Sequence, residues 1–223
     1  MATASFDIAG APRPGELLRN LVARSGSASH PYLWSAALRD GPEASSNLAD
    51  AIHFLCTLHG RHPGAIDHAA NRTPDQDARA WLEDAISAFA IERGYLTHLA
   101  VAAGPVPGTP GAADSDAALL AQRNAIAMLA CSERRGCAFG AALALALDWA
   151  EVRTVVDLAA ARFGVEAPPY VIGNADRIAE AADRFAVAPP LQRALLFGAE
   201  QISIQHRGLW DLLEARQQAR ALA

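Results

Sequence analysis

Three polar side chains sit where helical spacing calls for apolar ones. Glu92 follows Trp81, Ala85 and Ala88 and precedes Tyr95 and Leu99 at intervals of three or four. His206 is in register with Leu195, Ala199, Ile202, Leu209 and Leu213, and Glu133 closes a seam of Leu119, Gln122, Ile126 and Leu129. Residues three or four apart share one helix face, so all three are predicted to point inward. Two carboxylates and an imidazole that converge inside a bundle could serve as general acid and base, or as ligands of a metal. Burial would raise a carboxylate pKa toward the range such work needs. Glu92, Glu133 and His206 are therefore the candidate catalytic residues. Each also has a structural alternative. Glu133 precedes Arg134 and Arg135 and would suit an exposed helix end. Glu92 could pair with an arginine of another helix, and His206 could be a core histidine with its hydrogen bonds satisfied.

Other polar groupings carry weaker chemistry. Asp50 and His53 form an acid-x-x-His pair, which can meet across one helical turn. The segment "HGRHPGAIDH" brings His59, His62 and His68 together in a turn that reads as a polar corner between helices. His59, in a last helical turn, favours its helix dipole without any ligand. Metal and cofactor stay unassigned at this level. A different signal comes from Ser132, Gly136, Gly140 and Ala144, small residues every four positions. Mid-helix glycine costs roughly 0.5–1 kcal/mol relative to alanine, so something must approach the backbone closely there. A neighbouring helix is the first expectation and a flat or bulky ligand the second, which makes Gly136 and Gly140 candidate cofactor contacts.

Composition narrows the classes. The 223 residues carry 52% hydrophobic and 19% charged side chains and a net charge of −5, which suits one domain, 1–223, with a sizeable core. No lysine occurs, so the 19 basic residues are all arginine, consistent with an Ala/Arg-biased bacterial genome. The usual P-loop and Schiff-base chemistries need a lysine and are excluded. No dense basic stripe marks a nucleic-acid partner. Cys56, Cys131 and Cys137 form no C-x-x-C and read as buried thiols in a reducing compartment. Serine-elbow, zinc-protease, dinucleotide and zinc-knuckle spacings are missing from the sequence. The start of the chain has neither a basic region nor a continuous apolar run of signal-peptide type. The apolar run Gly136–Leu147 is shorter than the roughly 20 residues a membrane helix needs, and charges flank it. No membrane partner and a cytoplasmic location are the expectations.

The elements that must hold these residues are helices. Apolar spacing and breakers predict helices near 14–25, 31–39, 43–59, 64–71, 74–103, 114–134, 137–164, 175–186 and 190–219. Thr73-Pro74-Asp75-Gln76 reads as a capping box with Thr73 at the N-cap. Asp114 or Ser115 should cap the helix after the Pro/Gly loop 104–111, and Gly136 should kink or divide the next. The fold class is all-α, a multi-helix bundle of about seven to eight helices with a buried central helix near 137–164. Residues 1–40 are expected to be a more loosely packed helical segment.

With its Ala-rich helices and "GCAFG" at 136–140, the chain resembles the haem-oxygenase-like architecture, including TenA-type thiaminases and related di-iron oxidases, and resembles ferritin-like bundles in outline. Those families imply an interior site. A thiaminase-like site would use Cys131 or Cys137 as nucleophile, and a haem oxygenase an early helical histidine, for which His30 before Pro31 is poorly placed. Ferritin-like di-iron chemistry would need two Glu-x-x-His pairs, and the chain has none. Two functions follow. One is an enzyme or small-molecule binder using Glu92, Glu133 and His206 beside the Gly136/Gly140 stripe. The other is a non-catalytic interaction module, a homodimer for example, presenting Trp34, Trp210 or the C-terminal "LLEARQQARALA".

Overall fold

A computed structural model describes residues 12–222. Among them the chain forms nine α-helices and no strand: α1 (Pro14–Ser25), α2 (Ala36–Arg39), α3 (Ala44–His59), α4 (Ala65–Arg72), α5 (Gln76–Ala102), α6 (Ala112–Ala130), α7 (Cys137–Phe163), α8 (Ala175–Phe185) and α9 (Pro189–Ala221). Two 3₁₀ turns, Ser27–Ser29 and Pro31–Trp34, join α1 to α2. The expected helix at 31–39 is thus split, because Ser35 takes an extended conformation and caps α2 through its side chain.

Helix α7 is the axis of the bundle. Every residue from Cys137 to Ala146 is buried, since α1, α3, α4, α5, α6, α8 and α9 all touch it. Its most extensive partner is α9, and the two helices run parallel. Gly136 does divide the chain rather than kink it: at φ +94° it is the N-cap of α7, a conformation that L side chains rarely adopt.

Local capping departs from two expectations. Asp75, not Thr73, caps α5 by accepting the Ala78 N–H, while the Thr73 hydroxyl donates back to the Ala69 carbonyl at the end of α4. Helix α6 starts at Ala112, ahead of Asp114 and Ser115, because Gly111 supplies a left-handed cap. The described part of the N-terminal segment is not loose. Leu18, Leu33 and Leu38 are fully buried, α1 packs against α8 and α9, and the Gly15 N–H donates to Asp183. Residues 1–11 of that segment lie outside the described residues.

The C-terminal helix is pinned by charge. Asp50 of α3 accepts Arg216 Nε at 3.1 Å and Nη2 at 2.9 Å, and also Arg220 Nη1 at 2.5 Å. Arg216 reaches on to the Pro107 carbonyl, and Arg220 to Asn47 and Thr109. This planar, multidentate pairing is what guanidinium geometry does best. It anchors residues 212–222 along the bundle, with Leu213 and Arg216 buried while Ala215, Gln218, Ala221 and Leu222 stay exposed. Among the described residues, no helix is long and apolar enough to cross a membrane.

Candidate functional site

The stripe of small residues on α7 faces α9. A Cβ on Gly140 would run into the Leu195 backbone carbonyl, and a Cβ on Gly198 of α9 into the Cys137 carbonyl. Gly136 faces Phe185, Leu191 and Ala194. The space that spacing offered to a cofactor at Gly136 and Gly140 is therefore filled by α8 and α9. The reciprocal glycines let two backbones touch, which is how α7 and α9 come close enough to exchange buried polar contacts.

Two turns further along both helices, those contacts appear. Asp148 of α7 accepts His206 Nδ1–H of α9 at 2.5 Å. The same carboxylate accepts the Ser27 N–H at 2.7 Å and the Ser27 hydroxyl at 2.5 Å. On the far side of the ring, His206 Nε2 meets Nε2 of His59, the last residue of α3, at 3.0 Å. All four side chains are 3% exposed or less. The rings of Trp149 and Phe89 stand edge-on to His59 with centroids 5.4 and 6.3 Å away.

Hydrogen-bonding logic fixes part of the protonation. A carboxylate only accepts, so His206 Nδ1 carries a proton. Burial first, and His206 second, push the His59 pKa well below its ordinary value of 6.5, so His59 is neutral at neutral pH. Two proton counts then satisfy every bond. In one, both rings are neutral and His59 donates from Nε2. In the other, a proton added at His59 Nδ1 drives the shared proton onto His206, giving an imidazolium beside Asp148. The chain His59–His206–Asp148 is thus a proton relay in geometry.

Glu92 belongs to the same neighbourhood. Its carboxylate accepts Trp149 Nε1–H at 3.0 Å and Arg153 Nη1–H at 2.7 Å. Desolvation raises its pKa, while the bonds from Trp149 and Arg153 pull it back. Arg153 also donates to Asp157 and to the Pro168 carbonyl and lies 4.7 Å from the Tyr95 ring centroid. Glu92 is held as an ion-pair partner, and Trp149 connects it to His59 and so to His206.

Glu133 does not join them. It is exposed in the turn between α6 and α7, outside any helix, so the inward seam ends before it. Asp50 and His53 do not pair either: Asp50 holds Arg216 and Arg220, and His53 Nε2 bonds the Gly104 carbonyl at 2.8 Å. The three histidines of "HGRHPGAIDH" diverge. His59 turns inward, His62 lies exposed 3.5 Å from Asp67, and His68 lines a separate cavity. Among the described residues, no three His, Cys, Asp or Glu side chains converge as a metal site. His30 has both ring nitrogens engaged, by Asp211 and by the Tyr32 N–H. Cys137 is buried against α9, and Trp210 is fully buried, while Trp34 is exposed as expected.

Sequence reasoning missed Asp148 and took His59 for a helix-end histidine at a polar corner, without its partner His206. Asp148 was read only as a charge flanking the apolar run; the sharper signal is that it follows Ala144 and precedes Val152 at helical spacing in the most buried helix. Ser27 carries no sequence signal, because its role depends on a turn that packs against α7.

Asp148, although only 2% exposed, is among the residues that line a cleft beside α1. The cleft has a volume of about 260 Å³, and Val22, Ala23, Ala28 and Leu147 line it together with Arg19 and Glu151. Fold and site together define an all-α bundle whose central helices share a buried His–His–Asp relay beneath a largely apolar cleft. The chain belongs to the DUF6975 family, a family of unknown function, which it matches over residues 22–221. No curated protein and no solved structure matches it.

Proposed function

We propose that the protein binds a small molecule in the cleft over Asp148 and moves a proton to or from it through Asp148, His206 and His59. One observation carries this reading: Asp148 both lines a cleft and ends a buried chain of two histidines. Asp148 accepts three hydrogen bonds, one fewer than the roughly four lone-pair sites of a carboxylate. The fitting ligand is therefore small and mostly apolar, with one N–H or O–H donor for the remaining lone pair. General acid–base work in such a site is worth roughly 10²–10⁴-fold in rate. Asp148 faces the ligand; His206 and His59 act through it, and Glu92 positions Trp149 behind them. The likeness to haem-oxygenase-like and ferritin-like bundles enters as the idea of an interior, helix-borne site. A bacterial, cytoplasmic setting is part of the same reading and is supported by the Ala/Arg bias and the free cysteines.

The test is a fragment screen by ligand-observed NMR on the full chain, with Ala23→Trp filling the cleft from its exposed wall. Fragments with a donor group should bind the parent protein and lose binding in Ala23→Trp and Asp148→Asn. Hits that bind both variants unchanged would remove the proposal.

A second reading has its own observation. Met128 and Phe197 are 72% and 43% exposed and line an apolar groove between α6 and α9, with Leu129 and Cys137 beneath. A homodimer would cover this face. Sedimentation of the parent and of Met128→Asp distinguishes the two, since only an interaction module loses mass on substitution.

A further inference from the structure

Past His59, the segment "HGRHPGAIDH" builds something other than the relay. Between α4 and α6 lies a cavity of about 230 Å³. Arg61, His68, Arg123 and Asn124 line it, with Leu58 and Ile126 among its apolar residues. No carboxylate lines it. Among the described residues neither Arg61 nor Arg123 has an ion-pair partner. Arg123 is half-buried, and Arg61 is exposed at the cavity. The nearby acid, Asp67, is already neutralised: Arg93 donates to it at 2.8 Å, as does the Gly64 N–H at the start of α4. In a chain of net charge −5, two guanidiniums without an ion-pair partner among the described residues, an imidazole and an amide line one apolar-backed cavity.

We propose that this cavity binds a small organic anion, with an oxyanion head on Arg61, Arg123 and His68 and a short apolar tail against Leu58 and Ile126. Guanidinium groups suit both phosphate and carboxylate heads through charge-assisted, two-pronged bonds. The volume is below the roughly 300–1,000 Å³ of drug-sized pockets, which limits the ligand to a few heavy atoms beyond its head. The site is separate from the cleft over Asp148.

The experiment titrates inorganic phosphate, butyl phosphate and butyrate into the ¹⁵N-labelled full chain and follows the His68 imidazole, the Arg Nε–H groups and the Asn124 amide. Saturable shifts are expected at these groups, with butyl phosphate binding several-fold more tightly than inorganic phosphate. Preference between butyl phosphate and butyrate tells a phosphate ester from a carboxylate. Arg61→Gln and Arg123→Gln should each weaken binding at least about tenfold, the loss of one charged hydrogen bond. Ala23→Trp should leave it unchanged. No saturable shift with any of the three, equal affinity for butyl phosphate and inorganic phosphate, or indifference to both arginine substitutions would overturn the proposal.

Discussion

Asp148→Ala is the sharpest probe of the relay. The substitution removes the acceptor of three hydrogen bonds in a site where every participant is buried. It strands the Ser27 N–H, the Ser27 hydroxyl and the His206 Nδ1–H. Leaving one buried donor unsatisfied costs about 1–3 kcal/mol, so stranding three of them, with some relaxation, costs about 3–5 kcal/mol. At about 2–4 °C per kcal/mol for a chain of this size, the melting temperature should fall by about 6–20 °C. Asp148→Asn keeps the shape and the acceptor for Ser27 N–H, so it should lose about half as much. It has a second signature. An amide NH₂ opposite His206 Nδ1 needs a lone pair there, so His206 must shift its proton to Nε2, and His59 must then accept. Urea denaturation gives the energies, and ¹⁵N shifts of the His206 ring give the tautomer. An Asp148→Ala loss under about 1 kcal/mol, with an unchanged His206 tautomer in Asp148→Asn, would refute the buried relay.

Two further outcomes follow from the structure. Gly198→Ala should destabilise by about 1–3 kcal/mol through overpacking, although alanine is the better helix former. Gly94→Ala, on an open face of α5, should stabilise by about 0.5–1 kcal/mol; denaturant midpoints that fail to move in opposite directions would contradict the helix contact. His59 makes stability pH-dependent. Its folded pKa is depressed, so the unfolded chain takes up a proton that the folded chain refuses as pH falls through 6.5. That contribution is present above 6.5 and is lost below it, by about 1.4 kcal/mol per pH unit. Glu92, with its pKa raised, works in the opposite sense and favours the folded state nearer its ordinary value of 4.5. Unfolding curves between neutral pH and 5.5 should show the His59 slope, and His59→Gln should flatten it.

Most of the fold was legible because its signals are local. Pro14, Pro189 and Gly136 mark boundaries by backbone chemistry that acts within a residue or two, and the boundaries fell where they indicate. Thr73 failed as a cap because Asp75 competes for the same helix start, and a carboxylate accepts N–H bonds more strongly than a hydroxyl. Glu92 and His206 were visible as polar interruptions of apolar seams. Their roles were not, because each depends on partners 57 and 58 residues away or farther. His59 shows the limit well: a last-turn histidine satisfies its own helix dipole, so nothing local hints that it meets His206 across 147 residues. Trp210 looked exposed in sequence because it lies among charged neighbours; its burial follows from the packing of α9 against α7, α1 and α6.

The glycine contact between α7 and α9 also works as a gauge. Asp148 lies eight residues beyond Gly140, and His206 eight residues beyond Gly198. Eight residues are about 12 Å of axial rise on each helix. Because the helices run parallel, both arms of the gauge point the same way and turn through the same angle. The carboxylate and the imidazole are therefore brought level by equal lengths of rigid rod measured from one fixed point. Sliding α9 along α7 by a single residue would move His206 about 1.5 Å, enough to open the bond to Asp148. The Ser27–Ser29 turn, which holds the other side of Asp148 through Ser27, lies outside this gauge and is not tied to its register.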